Sequence, residues 1–171
     1  LSQEVVSRTI LSSVKNIDKQ TLEVITFYKA IVLDEKTPLP IKMRYKTPET
    51  LGKDRIAGVV AVSCLYKDKN VLVLDFGSCL TADVINKEKE YIGGRISPGL
   101  TMRYNALHQF TDQLPLCKII NIDSFIGNDT ISSINSGVQE GMISEVKEVI
   151  DTFRKENKDT VVILTGGDCF F

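Results

Sequence analysis

The 171-residue chain contains a single histidine, His108, and that scarcity weighs against mechanisms built on a histidine base. His108 falls in the periodic stretch Leu100, Tyr104, Leu107, Phe110, Leu114, where a surface or packed helical position is expected. Cysteine is sparse as well. Cys64, Cys79, Cys117 and Cys169 form neither a CxxC metal knuckle nor a dense disulfide framework, so reduced, buried thiols are expected. No apolar run approaches the ~18–20 residues a membrane span requires. The opening LSQEVVSRT lacks the basic-then-apolar order of a signal peptide. Neither sign of charge is in excess, with 21 Lys and Arg against 22 Asp and Glu, so no overall field draws the chain onto nucleic acid or anionic lipid. Together these absences predict a soluble, cytoplasmic protein without a nucleic-acid or membrane partner.

What is present is a hydrophobic content of 43%, enough for one or two compact domains. The chain opens on Leu1 and stops at LTGGDCFF directly after an apparent strand, which predicts a piece of something longer. Residues 8–14 and 25–32 read as short strands from their β-branched and aromatic content. Ile41, Met43 and Tyr45 alternate with Lys42, Arg44 and Lys46, giving a strand with one apolar and one basic face. Residues 50–65 suit a mostly buried helix with polar groups confined to its first turn. The run 71–74, ending in Asp75, has the pattern of a central strand, and with 80–85 and 90–96 it makes a three-strand meander. Pro98 and Gly99 open a helix expected to end near Pro115, residues 119–122 suggest a short strand, and 130–156 carries apolar residues at spacings of three and four. Residues 160–164 close with a strand. The order predicts an α/β fold.

Three segments have the residue types for chemistry. In Asp75-Phe-Gly-Ser78, a carboxylate at the carboxyl end of a buried strand precedes a turn whose glycine admits a phosphate to backbone N–H groups. The Ser78 hydroxyl can bond a phosphate oxygen and Asp75 can hold a hard cation, although a strand-ending Asp can also simply cap a tight turn. In Gly52-Lys53-Asp54-Arg55, preceded by Tyr45, a carboxylate base stands beside a fork-shaped anion clamp at a helix N-terminus. The bland alternative is a first-turn Asp complementing the helix dipole and pairing with Arg55. In Asn128-Asp129-Thr130, any of the three residues suits an N-cap. Gly93-Gly94 and Gly166-Gly167 end strands, where they admit a ligand or let chain pack on chain.

The order YKTPETLGKDR, VLVLDFGS, YIGGRISPGL, NDTISSINSG, VILTGGD resembles the type III pantothenate kinases over nearly the whole chain. That family is similar to the acetate and sugar kinase, Hsp70 and actin superfamily. The resemblance therefore implies two RNase H-like domains closing over ATP, with residues 1–69 a remnant of the first and 70–171 the second with its last elements missing. It implies ATP-dependent phosphorylation of pantothenate to 4'-phosphopantothenate, the first step of coenzyme A biosynthesis. Asp54 takes the place of the general base; Tyr45, Gly52, Lys53, Asp54, Arg55 and Thr130 take substrate positions; Asp75 takes the monovalent-cation position (K+ or NH4+); and Ser78 takes that of a Thr contacting ATP with Mg2+. A homodimer is also implied.

The sequence departs from the family pattern in two places. Ser replaces Thr at position 78, keeping the hydroxyl but losing the methyl group that orders it. The family's opening strand with an Asp-x-Gly-Asn-Thr phosphate loop has no counterpart in residues 1–25, which implies that this chain alone does not turn over. Two rival readings are a non-catalytic Bvg accessory factor-type regulator and another kinase of the same superfamily acting on a sugar or an acyl phosphate. Tyr45 at its spacing from Gly52-Lys53-Asp54-Arg55 argues against the latter.

Overall fold

The computed structural model describes residues 6–14 and 16–170. Its centre is a five-stranded mixed sheet in the order β3-β6-β5-β4-β7. The meander forms as the sequence suggests: β4 (Asn70–Phe76), β5 (Cys79–Ile85) and β6 (Glu90–Pro98) pair antiparallel in succession. Two parallel strands flank them, β7 (Thr160–Thr165) beside β4 and the two-residue β3 (Lys42–Met43) beside β6.

β4 is buried along most of its length, and its two faces feed different cores. Leu72, Leu74 and Phe76 point to one side with Leu80 and Ala82 of β5. There they pack on α3 (Leu100–Gln109) and on α4 (Thr130–Glu156), through Leu100, Tyr104, Ile134, Val138 and Met142. Val71 and Val73 point to the other side and meet Val62 of α2 (Lys53–Leu65) together with Ile85. A third cluster, Leu33, Leu51, Ile56, Val59 and Tyr91, extends this side toward β3. The sheet is thus a layer between α2 and the α3–α4 pair.

α4 starts where the sequence places it because Asp129 accepts from the Ser132 N–H at 2.9 Å while the Ser132 hydroxyl accepts from the Asp129 N–H at 3.1 Å. It is 27 residues long, and no helix among the described residues is long and apolar enough to cross a membrane.

Several expected elements differ. The 25–32 strand is instead the end of α1 (Lys19–Tyr28) followed by β2 (Ile31–Val32). Asp18 caps α1 by accepting from the Thr21 N–H at 2.8 Å, and Lys29 ends it in the left-handed region. Those caps outweigh the β-branched content of the segment. The 8–14 strand contracts to β1 (Ile10–Leu11), parallel to β2. Residues 119–122 form no strand. The Ile120 carbonyl accepts from the Gln139 side chain at 3.1 Å rather than from a neighbouring strand. α3 stops at Gln109, with the Phe110 N–H donating to the Ala106 carbonyl, short of Pro115. The strand between Pro40 and Pro48 shortens to β3, yet its alternation holds: Ile41, Met43 and Tyr45 are half-buried while Lys42, Arg44 and Lys46 are exposed. All four cysteines are free thiols, but only Cys117 is buried; Cys64 is exposed and Cys79 and Cys169 are intermediate.

Candidate functional site

Asp75 lies on the α2 side of β4, in phase with Val71 and Val73. Asp83 faces the same way from β5, where Val73 pairs with Asp83 and Asp75 with Thr81. Against this acidic patch α2 sets its first turn, with Gly52 as N-cap, then Lys53, Asp54 and Arg55.

Arg55 is not an open anion clamp, nor does its side chain pair with Asp54. It is buried and forks onto Asp83, with Nε donating at 2.9 and 3.1 Å to the two carboxylate oxygens and Nη2 at 2.7 Å to Oδ1. Nη2 also donates to Tyr91 Oη at 2.9 Å, and Tyr91 Oη in turn donates to Asp83 Oδ1 at 2.6 Å. Thr81 Oγ1 donates to Asp83 Oδ2 at 3.2 Å. The Tyr45 ring lies 5.9 Å from the Arg55 guanidinium carbon and 5.8 Å from the Tyr91 ring. The pairing with Asp83 holds the guanidinium above its ordinary pKa even though burial opposes this. Burial, reinforced by the hydrogen bond to Asp83, pushes the Tyr91 phenol far upward, so that it acts as a fixed donor.

Gly94 makes the passage for this pair. It sits opposite Asp83 on β6, and a Cβ there would collide with the Ala82 carbonyl oxygen and lie 2.6 Å from both Arg55 Nη2 and Asp83 Oδ1. Sequence reasoning missed Asp83 and Tyr91. The available signal was an acidic residue in the middle of the alternating strand Leu80, Thr81, Ala82, Asp83, Val84, since a buried carboxylate needs a partner.

The Asp54 carboxylate is exposed, and its Oδ1 accepts from the Arg55 backbone N–H at 2.8 Å. Burial pushes the Asp75 carboxyl up, and the Asp54 and Asp83 carboxylates push it further. Asp54, Asp75 and Asp83 therefore share one electrostatic neighbourhood. The ammonium nitrogen of Lys53, which precedes Asp54, is buried and has no hydrogen-bond partner among the described residues.

Ser78 is exposed in the β4–β5 turn and lines a cavity of about 600 Å³ with Gly77, Thr101, Asn105, Gly167 and Asp168. The two strand-ending glycines after β7 divide the roles foreseen for them. Gly166, at φ 97°, lets chain pack on chain, for a Cβ would lie 2.5 Å from Asp75 Oδ1 and from the Phe76 backbone. Gly167 has nothing within 4 Å of where its Cβ would stand and opens onto the cavity. Thr130, the first residue of α4, lines a separate and larger cavity of about 1140 Å³ between α3 and α4, whose walls include neither Tyr45, Asp54 nor Asp75. The structure therefore brings Tyr45, Gly52, Lys53, Asp54, Arg55 and Asp75 to one face, Ser78 to the adjoining turn, and Thr130 to another cavity.

Hard-cation chemistry suits the acidic face. Beyond the effect of burial, the Asp54 and Asp83 carboxylates raise the proton affinity of Asp75, and a cation relieves the same repulsion. Among the described residues no cluster of three or more His, Cys, Asp or Glu is arranged as a metal site, so a cation at Asp75 would rest on that carboxylate and neighbouring oxygens.

An exposed carboxylate at a helix start, an aspartate near a strand end and a glycine–serine turn over a cavity are the residue types that phosphoryl transfer to a small molecule can use. The sequence profile of the type III pantothenate kinase family matches residues 2–152. The type III pantothenate kinase of Christiangramia forsetii is 43% identical over 164 residues, covering 95% of this chain and 68% of that protein. The one from Bacteroides fragilis is 44% identical over 138 residues, covering 81% and 57%. A solved Campylobacter jejuni protein, described as a Baf family transcriptional activator, has a TM-score of 0.56 at 20% identity, over 96% of this chain and 70% of that one; it shares the fold. The chain belongs to the type III pantothenate kinase family. Its reaction is ATP-dependent phosphorylation of pantothenate in coenzyme A biosynthesis, with a divalent metal accompanying ATP.

Proposed function

We propose that this chain carries the substrate-activating face of that kinase, with Asp54 as the general base for the pantothenate hydroxyl. The observation that carries the reading is the convergence of Asp54 from α2 and Asp75 from β4 on one face, beside the Ser78 turn. Asp54 is exposed enough to meet an alcohol, and the Arg55 N–H fixes one of its oxygens while leaving the other to accept a proton. Tyr45 and Arg55 form the wall behind it, with Arg55 acting through its pair with Asp83 rather than as a free clamp. Lys53 would supply positive charge for the anionic ends of the substrates, since its buried ammonium nitrogen has no hydrogen-bond partner among the described residues. Ser78 offers its hydroxyl to an ATP phosphate at the mouth of the neighbouring cavity.

Mg2+ with ATP and a monovalent cation, K+ or NH4+, at Asp75 would supply charge neutralisation during phosphoryl transfer. In the whole protein two RNase H-like domains would close over ATP, and a cytoplasmic homodimer would bring Thr130 and the α3–α4 cavity into the substrate site. A regulatory, non-catalytic role is not favoured, since the curated relatives bear the kinase name.

The test is Asp54→Asn in the full-length kinase. Turnover is expected to fall by about 10²–10⁴, the scale of general base catalysis, with folding intact. Near-normal turnover in a folded variant removes Asp54 from the mechanism.

A further inference from the structure

Asp83 and Tyr91 lie outside the substrate motif, yet they hold one of its members, Arg55. α2 begins without the usual restraint, because Gly52 as N-cap offers no side chain to the first-turn N–H groups. The Asp54 carboxylate takes its orientation from the Arg55 N–H at 2.8 Å. The position of the base therefore depends on what fixes Arg55, and what fixes it is a closed triangle. Arg55 donates to Asp83 and to Tyr91, and Tyr91 donates to Asp83, with every separation between 2.6 and 3.1 Å.

We propose that Asp83, braced by Tyr91, is a positioning residue for the phosphoryl-transfer site: it locks the Arg55 side chain and thereby fixes where the Asp54 carboxylate sits. This rests on Asp54 being the base. A buried ion pair is by itself weak evidence of a stabilising role, since apolar residues of similar volume often serve as well. Here the surroundings are built for the pair. β6 has a glycine where any side chain would displace it, Thr81 bonds the second carboxylate oxygen, and the guanidinium lies over the Tyr45 ring. The pair also spans α2 and β5, so it sets the base against the strand whose neighbour carries Asp75.

The experiment compares four variants of the full-length kinase: Asp83→Asn, Tyr91→Phe, Asp54→Asn and the double variant Asp83→Asn/Asp54→Asn. Asp83→Asn is expected to lower kcat by about 10–100-fold, the effect of displacing a catalytic group by an ångström or less, with KM for pantothenate and ATP within about threefold. Tyr91→Phe, which removes one hydroxyl and keeps the ring, is expected to lower kcat by about three- to tenfold in a folded protein. In the Asp54→Asn background, Asp83→Asn is expected to cost no further kcat, because it acts through a base already removed. A purely structural Asp83 would show the same loss in both backgrounds, and that result overturns the proposal. So does a kcat within about twofold of wild type for a folded Asp83→Asn or, if that variant does not fold, for Tyr91→Phe. If Asp54→Asn keeps its turnover, the base assignment falls and the positioning role with it. If Asp54→Asn is inactive while Asp83→Asn and Tyr91→Phe are normal, the positioning role alone falls.

Discussion

Replacing Gly94 by alanine tests the packing that creates the site, and the structure sets the size of the effect. The new methyl group would overlap the Ala82 carbonyl oxygen, which belongs to the paired backbone of β5 and has little freedom to yield. Arg55 Nη2 and Asp83 Oδ1, each at 2.6 Å, would have to retreat by about 0.8 Å to reach ordinary contact, which begins at 3.4 Å. Their own bond is 2.7 Å long, so such a retreat separates the ion pair or pries β6 from β5. Overpacking of this kind costs about 1–3 kcal/mol and disrupting a buried charge pair about 3–5 kcal/mol. The two overlap, because relief of one is achieved through the other, so a loss of about 3–5 kcal/mol is expected. At roughly 2–4 °C per kcal/mol for a chain of this size, Tm should drop by about 6–20 °C. Thermal and urea unfolding followed by circular dichroism measure it. Gly58→Ala provides the contrast, since nothing lies within 4 Å of its Cβ position in α2 and helix propensity should raise stability by about 0.5–1 kcal/mol. A Gly94→Ala protein melting within about 2 °C of wild type would refute the picture of a glycine cradle around the pair.

Ser78→Ala in the full-length kinase should raise KM for ATP by about three- to tenfold, while Ser78→Thr should leave it unchanged or lower it; equal ATP kinetics for all three side chains would remove the hydroxyl from the phosphate site. Glu90 anchors β3 to β6 by accepting from Arg44 at 2.7 and 3.2 Å, and that bond, with a second from Asn86, holds its carboxyl below the ordinary value. The unfolded chain then binds the proton more readily, so this contribution to stability is present above the ordinary glutamate pKa and is lost as pH falls through the depressed one. Glu90→Gln should accordingly show a shallower decline in urea midpoint between about pH 5 and pH 2, and a decline parallel to wild type would show that the ion pair carries no such linkage.

Much of the sheet was legible because its signals are local and strong. The alternation of β5 and the three-and-four spacing of α4 each match one period, and the continuous run Val71–Leu74 reads as a central strand by its shortness and β-branched content. Asp54 and Asp75 were legible from their positions at a helix start and a strand end. The missed features depend on partners distant in sequence. Arg55 looked like a clamp because its neighbour Asp54 was visible, whereas Asp83, 28 residues away, becomes its partner only once β5 folds against α2. The 119–122 segment is apolar enough for a strand, yet Ile119 and Ile120 are exposed and the sheet edges are taken by β3 and β7. α1 has no buried residue, so its helicity follows from its caps rather than from an apolar stripe.

The charge balance of the α2 face follows from strand parity. β4 turns back at Gly77 and Ser78, and the resulting register puts Val73 beside Asp83, so that Asp75 and Asp83 occupy neighbouring rows on one side of the hairpin. α2 adds Asp54 to this side, and Arg55 neutralises only the deepest of the three, Asp83. Burial, and after it the Asp54 and Asp83 carboxylates, make Asp75 hold its proton more tightly than an isolated aspartate. Such crowding opposes folding of the empty site, and an apolar or amide residue at position 75 would relieve it. A cation bound at this face would relieve the same repulsion. The buried Arg55–Asp83 pair and the residual acidity at Asp75 are thus separate features of this face, the first closed within the fold and the second left for a cation to relieve.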